Sequence, residues 1–202
     1  MFEDILFDAR SRYGMRLYAY CIMPNHWHLI VQPRNDGDVA RFMQWLTLTY
    51  TQRWHAAKQS IGTGHLYQGR YKAFPVQTDE YFLWVCRYVE RNPLRARLVD
   101  KAEDWRWGSA WHLAGRRSEH LLDIWPTDRS GDYLHWLNQE EDEELLQKIR
   151  TSVNRAQPLG NQKWTDDIVE KFKLQSTIRN RGRQVIMTPL PTTYLTNLSL
   201  FL

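Results

Sequence analysis

The sequence predicts an α+β fold over residues 1–115, followed by a helical C-terminal appendage over 116–183 and a tail over 184–202. Three observations carry this prediction. Segments of helical and of strand periodicity alternate in the order α, β, β, α, β, α up to about residue 115, which suits helices packed on a small antiparallel sheet. Two aromatic and β-branched runs flank a Met-Pro-Asn turn at 23–25, the pattern of a hairpin. Beyond Arg116 the strand signals give way to an acidic run and two polar helical stretches.

From Phe2 to Tyr13 the apolar positions Phe2, Ile5, Leu6 and Tyr13 recur at helical spacing, and Gly14 supplies a C-cap. Leu17 to Ile22 and His26 to Gln32 form the hairpin, which Pro33 ends. Asp38 is placed to cap a second helix running to about Ala57, with Val39, Phe42, Met43, Leu46, Leu48, Tyr50 and Trp54 as its apolar stripe. The glycine-bearing stretch 62–77 leads into a short strand around Lys72 to Val76. Asp79 caps a third helix from Glu80 to about Arg91, where Tyr81, Trp84, Val85 and Tyr88 mark the inward face and Pro93 stops or kinks the chain. Leu94 to Val99 and Trp105 to Leu113 read as short helical pieces. In the appendage, Glu140–Glu144 opens a helix to about Arg155, and Thr165 begins another that ends near Arg179.

Composition narrows the function classes. Ten Trp and ten Tyr in 202 residues exclude wholesale disorder. Cys21 and Cys86 are too few for a disulfide framework or a four-cysteine zinc site, and a reduced, cytoplasmic setting is expected. Neither a signal-peptide pattern nor a run of about 18 apolar residues occurs, so no membrane partner is expected. The net charge of +4 is weak evidence as a total. Its distribution is more informative: residues 34–101 carry eleven Lys and Arg against six Asp and Glu.

Two constellations carry chemistry. His26 and His28 stand at i and i+2 of a strand, so the pleat turns both imidazoles to one face and Trp27 to the other. Such a pair either holds a divalent ion or is incidental, and taken alone it leaves both readings open. Tyr88 and Asn92 stand at i and i+4 and project from one helix face. Tyr88 either continues the apolar stripe or acts as a nucleophile. A phenol of pKa about 10 needs a neighbouring cation or a polarised electrophile for the second role. Arg70, Lys72, Arg91, Arg95 and Arg97 flank these residues and are candidates for contacts to DNA phosphates, with Tyr67, Tyr71 or Trp54 to stack on unpaired bases.

The strings YAYCIMPNHWHLIVQP at 18–33, GHLYQGRYKAFPVQ at 64–77 and YVERNPLRARLV at 88–99 resemble the REP-associated tyrosine transposases, single-tyrosine enzymes of the HUH class, over roughly residues 1–115. MPNHWHL followed in order by Y-x-x-x-NP-x-RA is the specific part of the likeness. The resemblance implies a ferredoxin-like HUH sheet, a divalent Mg or Mn ion on His26, His28 and Asn92, and Tyr88 as the nucleophile. It further implies single-stranded or hairpin DNA as partner, cut and rejoined through a 5'-phosphotyrosine link by a monomer or a homodimer. Arg181 and Arg183 resemble the basic C-terminal segment expected to help read the hairpin. Family members normally begin with a strand of the type YHVTxRGN that lies inside the sheet, whereas this chain begins at the helix, so a sheet lacking that strand is expected. Two rival functions are a catalytically inactive or domesticated DNA-binding protein and an HUH nicking or replication-initiation enzyme. The spacing around Tyr88 argues against the latter.

Overall fold

A computed structural model describes residues 1–62, 64–116, 121–129, 131–179 and the backbone of 199–201. Helix α1 (Phe2–Tyr13) ends at Gly14, whose φ of 61° is the left-handed C-cap that glycine adopts without strain. The hairpin follows as β1 (Arg16–Ile22) and β2 (Trp27–Gln32), antiparallel, with a bulge between Leu17 and Ala19. One extra residue there turns both Tyr18 and Ala19 to the same face of the sheet. Helix α2 (Asp38–Lys58) starts one residue differently from the prediction, because Gly37 is its N-cap. Asp38 instead uses its carboxylate to close the preceding turn through the Asn35 N–H (2.7 Å) and to pair with Arg41 (2.6 Å).

Strand β3 is only three residues (Phe74–Val76), and α3 (Glu80–Glu90) opens with the Asp79 side chain accepting the Tyr81 N–H at 3.0 Å, as its sequence predicts. A short α4 (Asn92–Arg95) carries Pro93 in its first turn, where the missing N–H costs nothing, and a left-handed Arg97 then ends the helical run predicted to reach Val99. A 3₁₀ turn (Ala102–Asp104) and α5 (Ser109–Leu113) follow. The appendage holds one helix that periodicity did not reveal, α6 (Tyr133–Asn138), and then α7 (Glu143–Arg155), capped by Asp142. The helix predicted from Thr165 to near Arg179 is two helices that start earlier: α8 (Gln162–Lys171), capped by Asn161, and α9 (Gln175–Ile178).

The reading of 184–202 as a tail is corrected at its end. Residues Ser199–Phe201 form β4, and the sheet order is β1-β2-β4-β3, antiparallel throughout. Ile30 and Val31 pair with Phe201 and Leu200 on one side, and Phe74, Pro75 and Val76 pair with Phe201, Leu200 and Ser199 on the other. Strand β4 thus occupies an interior position of the sheet. The architecture is α+β with a small antiparallel sheet. Outer edges are covered as well. Asp123 pairs with the Leu17 N–H and with Arg10, and Trp125 donates to the Tyr18 carbonyl, both against β1. Leu159 exchanges backbone bonds with Pro75 and Gln77 against β3.

Each face of the sheet carries an apolar core. Helices α1 and α2 pack Phe2, Ile5, Leu6, Phe42, Met43 and Leu46 on Leu17, Tyr20, Leu29 and Val31. Helices α3 and α7 pack Phe82, Val85, Val89, Leu146 and Ile149 on Ala19, Cys21, Ile30, Phe74 and Val76. The site lies on this second face. No helix among the described residues is long and apolar enough to cross a membrane.

Candidate active site

The hairpin supplies two imidazoles. His28 lies on β2 and His26 just before it, their ring centroids are 5.1 Å apart, and Trp27 turns the other way to meet Phe2 at 5.9 Å. The Nδ1–H of His26 donates to Asn25 Oδ1 (2.7 Å), which leaves the Nε2 lone pair for another partner. Helix α3 crosses this face so that the Tyr88 ring sits 5.8 Å from the His28 ring. One turn further on, Asn92 donates Nδ2 to the carbonyls of Tyr88 (3.0 Å) and Val89 (3.1 Å), closing the end of α3. With both amide protons so used, Oδ1 is the atom it offers outward, and the side chain lies within hydrogen-bonding reach of His26. His26, His28, Tyr88 and Asn92, predicted from two separate strings, thus converge.

The electrostatics favour neutral imidazoles. Desolvation, the neighbouring His26 and the Arg95 guanidinium push His28 down to about 3, and desolvation lowers His26 against an opposing contact from Asn92. Neither ring needs to lose a proton before accepting a cation at neutral pH. Two neutral nitrogens and an amide oxygen make a donor set suited to a divalent ion, with no carboxylate to cancel its charge. Among the described residues no group of three or more His, Cys, Asp or Glu gathers to hold a metal elsewhere. Tyr88 is buried and its phenol is raised by desolvation, with Arg95 drawing it back down. The guanidinium carbon of Arg95 stands 4.3 Å from the centre of the Tyr88 ring. Cys21 and Cys86 are free and buried, and burial beside Glu90 raises both thiols, so neither is a reactive group.

The family model described as "Transposase IS200 like" matches residues 1–92, the segment that contains all four of these side chains. Residues 1–92 are thus similar to the IS200-like transposases. A protein of Haemophilus influenzae named "Putative REP-associated tyrosine transposase" is 24% identical to this chain over 130 residues, which is 60% of this chain and 70% of that protein. No solved structure matches the chain significantly.

Around these four side chains the basic residues divide into two sets. Arg70 and Arg97 are exposed, and exposed Lys72 reaches the Asn154 carbonyl at 3.2 Å. Arg91 and Arg95 are turned inward. Arg95 grips both oxygens of Glu141 (2.7 and 2.8 Å) and donates to the Tyr88 carbonyl at 2.6 Å. Arg91 pairs with the same carboxylate at 3.2 Å and donates to the Leu137 carbonyl. The reading of these two as phosphate contacts therefore meets partners inside the protein. Arg181 and Arg183 lie outside the described residues.

Sequence reasoning missed Arg87 and Glu141. Arg87 donates to the carbonyls of Gln139 (2.7 Å) and Glu140 (3.0 Å) and stacks on Trp136, with 4.5 Å from its guanidinium carbon to the ring centre. Arg87, Arg91 and Arg95 follow at i, i+4 and i+8 along α3 and α4 and clamp residues 136–141. The signal was present: three arginines on one helical row, and an acidic run far away in sequence to answer them. Glu90 was missed too. It is wholly buried, bonded to the hydroxyls of Ser109 (2.5 Å) and Tyr133 (2.7 Å), and desolvation raises its carboxyl to about 7.

Proposed function

We propose that this chain is a metal-dependent strand transferase that cleaves and rejoins single-stranded, hairpin-bearing DNA through a 5'-phosphotyrosine link at Tyr88. The match of residues 1–92 to the IS200-like family model and the likeness to the Haemophilus influenzae protein support the coarser part, a transposase acting on DNA by cleavage and strand transfer. The observation that carries the finer part is the convergence of Tyr88 with His28, at 5.8 Å between rings, and with His26 one ring further on.

Tyr88 supplies the attacking oxygen. Its bond to phosphorus forms as the bond from phosphorus to the 3'-oxygen breaks, and the reverse attack by another 3'-hydroxyl reseals the strand without an external energy source. His26, His28 and Asn92 would hold a divalent ion, Mg or Mn, which when bound supplies positive charge to the phosphate and the phenolate. Asn25 orients His26 by accepting its Nδ1 proton. Asn92 fixes the last turn of α3, and with it the backbone of Tyr88. Burial of Tyr88 against the core limits the positions of the ring and keeps water from competing with it.

The test incubates the protein with a labelled single-stranded hairpin oligonucleotide and Mn or Mg and resolves covalent adducts on a denaturing gel. An adduct that disappears in Tyr88→Phe is expected. His26→Ala is expected to lower adduct formation by about 100-fold or more while oligonucleotide binding stays within a few-fold. Binding with no adduct from the wild-type protein, identical to Tyr88→Phe, would instead make this a DNA-binding relative without catalysis.

A further inference from the structure

We propose that Arg95 is the positioning residue for the Tyr88 ring and that Glu141 of the appendage holds Arg95 in place, so that the appendage forms part of the transferase site. The inference deepens the strand-transferase reading and rests on it for its catalytic consequence.

Three contacts define the arrangement. The Arg95 guanidinium covers the Tyr88 ring at 4.3 Å, and the same group donates to the Tyr88 carbonyl at 2.6 Å. It therefore contacts both ends of the nucleophile, backbone and ring. On its other edge Nη1 reaches both oxygens of Glu141. The Glu141 side chain is 13% exposed and the Arg95 side chain 18% exposed, so the pair is largely removed from solvent screening. Glu141 is itself fixed. It immediately precedes Asp142, which caps α7, and α7 packs Leu146 and Ile149 into the core cluster that contains Val85, Tyr88 and Val89. Arg91 forms an ion pair with the same carboxylate at Oε2.

A phenol held between an imidazole edge and a guanidinium plane has few ring orientations available. Removing either Arg95 or its anchor restores them, and a displacement of about 1 Å at a reacting atom can lower a rate by about 100-fold. An arginine engaged in this way by protein groups is a poor phosphate contact. That separates the proposal from the DNA-binding role predicted for Arg95, which would change affinity for DNA and its salt dependence rather than the rate of the covalent step.

The experiment compares wild type, Arg95→Ala, Arg95→Lys and Glu141→Gln in the full chain. It measures the single-turnover rate of adduct formation on a hairpin oligonucleotide with Mn, and the affinity for that oligonucleotide by fluorescence anisotropy. Arg95→Ala is expected to lower the rate by about 100-fold and Glu141→Gln by about 10-fold, with affinity within twofold and thermal unfolding still cooperative. Arg95→Lys keeps a cation but loses the planar group whose Nη1 and Nη2 reach Glu141 and the Tyr88 carbonyl together, and is expected to fall between Arg95→Ala and wild type. Unchanged rates in Arg95→Ala, or rate and affinity falling together, would overturn the proposal. A second readout needs no activity: 3-fluorotyrosine placed at position 88 should give a 19F resonance displaced from that of the free amino acid, and Arg95→Ala and Glu141→Gln should both move it toward the free value. A resonance that neither substitution moves overturns the positioning role, even if no adduct forms and the strand-transferase reading has failed.

Discussion

The two faces of this sheet are built from the same strands and differ in what they carry. On the α1/α2 face Leu17, Leu29 and Val31 meet Ile5, Leu6, Phe42 and Leu46 in a core that is apolar apart from the Tyr20 hydroxyl, which is bonded to Glu3 and His112. On the α3 face Ile30, Phe74 and Val89 share their surroundings with His28, Tyr88, Glu90 and two thiols. Because strand side chains alternate, each residue of β2 belongs to one face or the other, and neighbours in sequence can have unrelated roles. The first face fixes the hairpin. The second uses that fixed hairpin to present imidazoles to α3. Polar groups in the site layer weaken its packing, and a rigid apolar layer behind the strand compensates for what the site layer lacks.

The widest separation is expected between the adjacent residues His28 and Leu29. His28→Ala should reduce adduct formation by about 100-fold or more and weaken Mn binding, while unfolding free energy changes by less than about 1 kcal/mol. Leu29 is fully buried on the opposite face, and Leu29→Ala should cost about 2–5 kcal/mol of stability. Adduct formation by the fraction that stays folded should fall by only a few-fold. Denaturant titration and isothermal titration with Mn measure the two quantities. Equal loss of stability in both variants would mean that His28 is packing rather than chemistry and would dissolve the contrast between the faces.

A second, smaller difference concerns pH. Glu90 lies on the α3 face with a folded pKa of about 7, raised by burial from 4.5 and partly opposed by its bonds to Ser109 and Tyr133. The folded state therefore holds a proton that the unfolded state has lost between pH 4.5 and 7. Its contribution to stability is fully present below 4.5 and is lost as pH rises through 7, by at most about 3 kcal/mol. Glu90→Gln keeps polar partners for both hydroxyls and removes the ionisation. Urea unfolding between pH 5 and 8 should show a decline in wild type that is flattened in Glu90→Gln. The same decline in both proteins would assign it to other groups.

Much of this arrangement is legible in the sequence, and the parts that are not share a cause. Period-2 and period-3.6 patterns, the Gly14 and Asp79 caps and the His-x-His pleat are local rules, and the elements they predict are present. The grouping of His26 and His28 with Tyr88 and Asn92 came from the family likeness, since nothing local says that α3 crosses that strand. Glu141, Arg87 and Glu90 escaped because their roles depend on partners 19 to 53 residues away. Acidic residues at 140–144 look like a solvated helix start until Arg91 and Arg95 are seen facing them. Helix α6 escaped because its six residues are too few to show a period.

Strand β4 gives the smallest expected effect and the clearest view of how the two faces are joined. It lies between β2 and β3, and among the described residues it alone joins the three-residue β3 to the rest of the sheet. Removing residues 199–202 would leave the backbone groups of Ile30, Val31 and Phe74–Val76 without those ladder partners in the sheet interior. Water can enter such a gap, so each lost bond should cost about 1 kcal/mol or less rather than a full desolvation penalty, and about 1–2 kcal/mol in total. The location of the change is more telling than its size. Amide exchange should accelerate at Phe74 and Val76 and along the β4-facing edge of β2, while the β1–β2 ladder, which is independent of β4, stays protected. Adduct formation should fall only modestly, because His28 is held by its pairing with β1 and α3 packs on β1 and α7. Unchanged exchange at Phe74 and Val76 would show that β3 is held by Leu159 and the α3-face core alone. Exchange rising across all of β1 and β2 would show that the apolar face cannot hold the hairpin by itself.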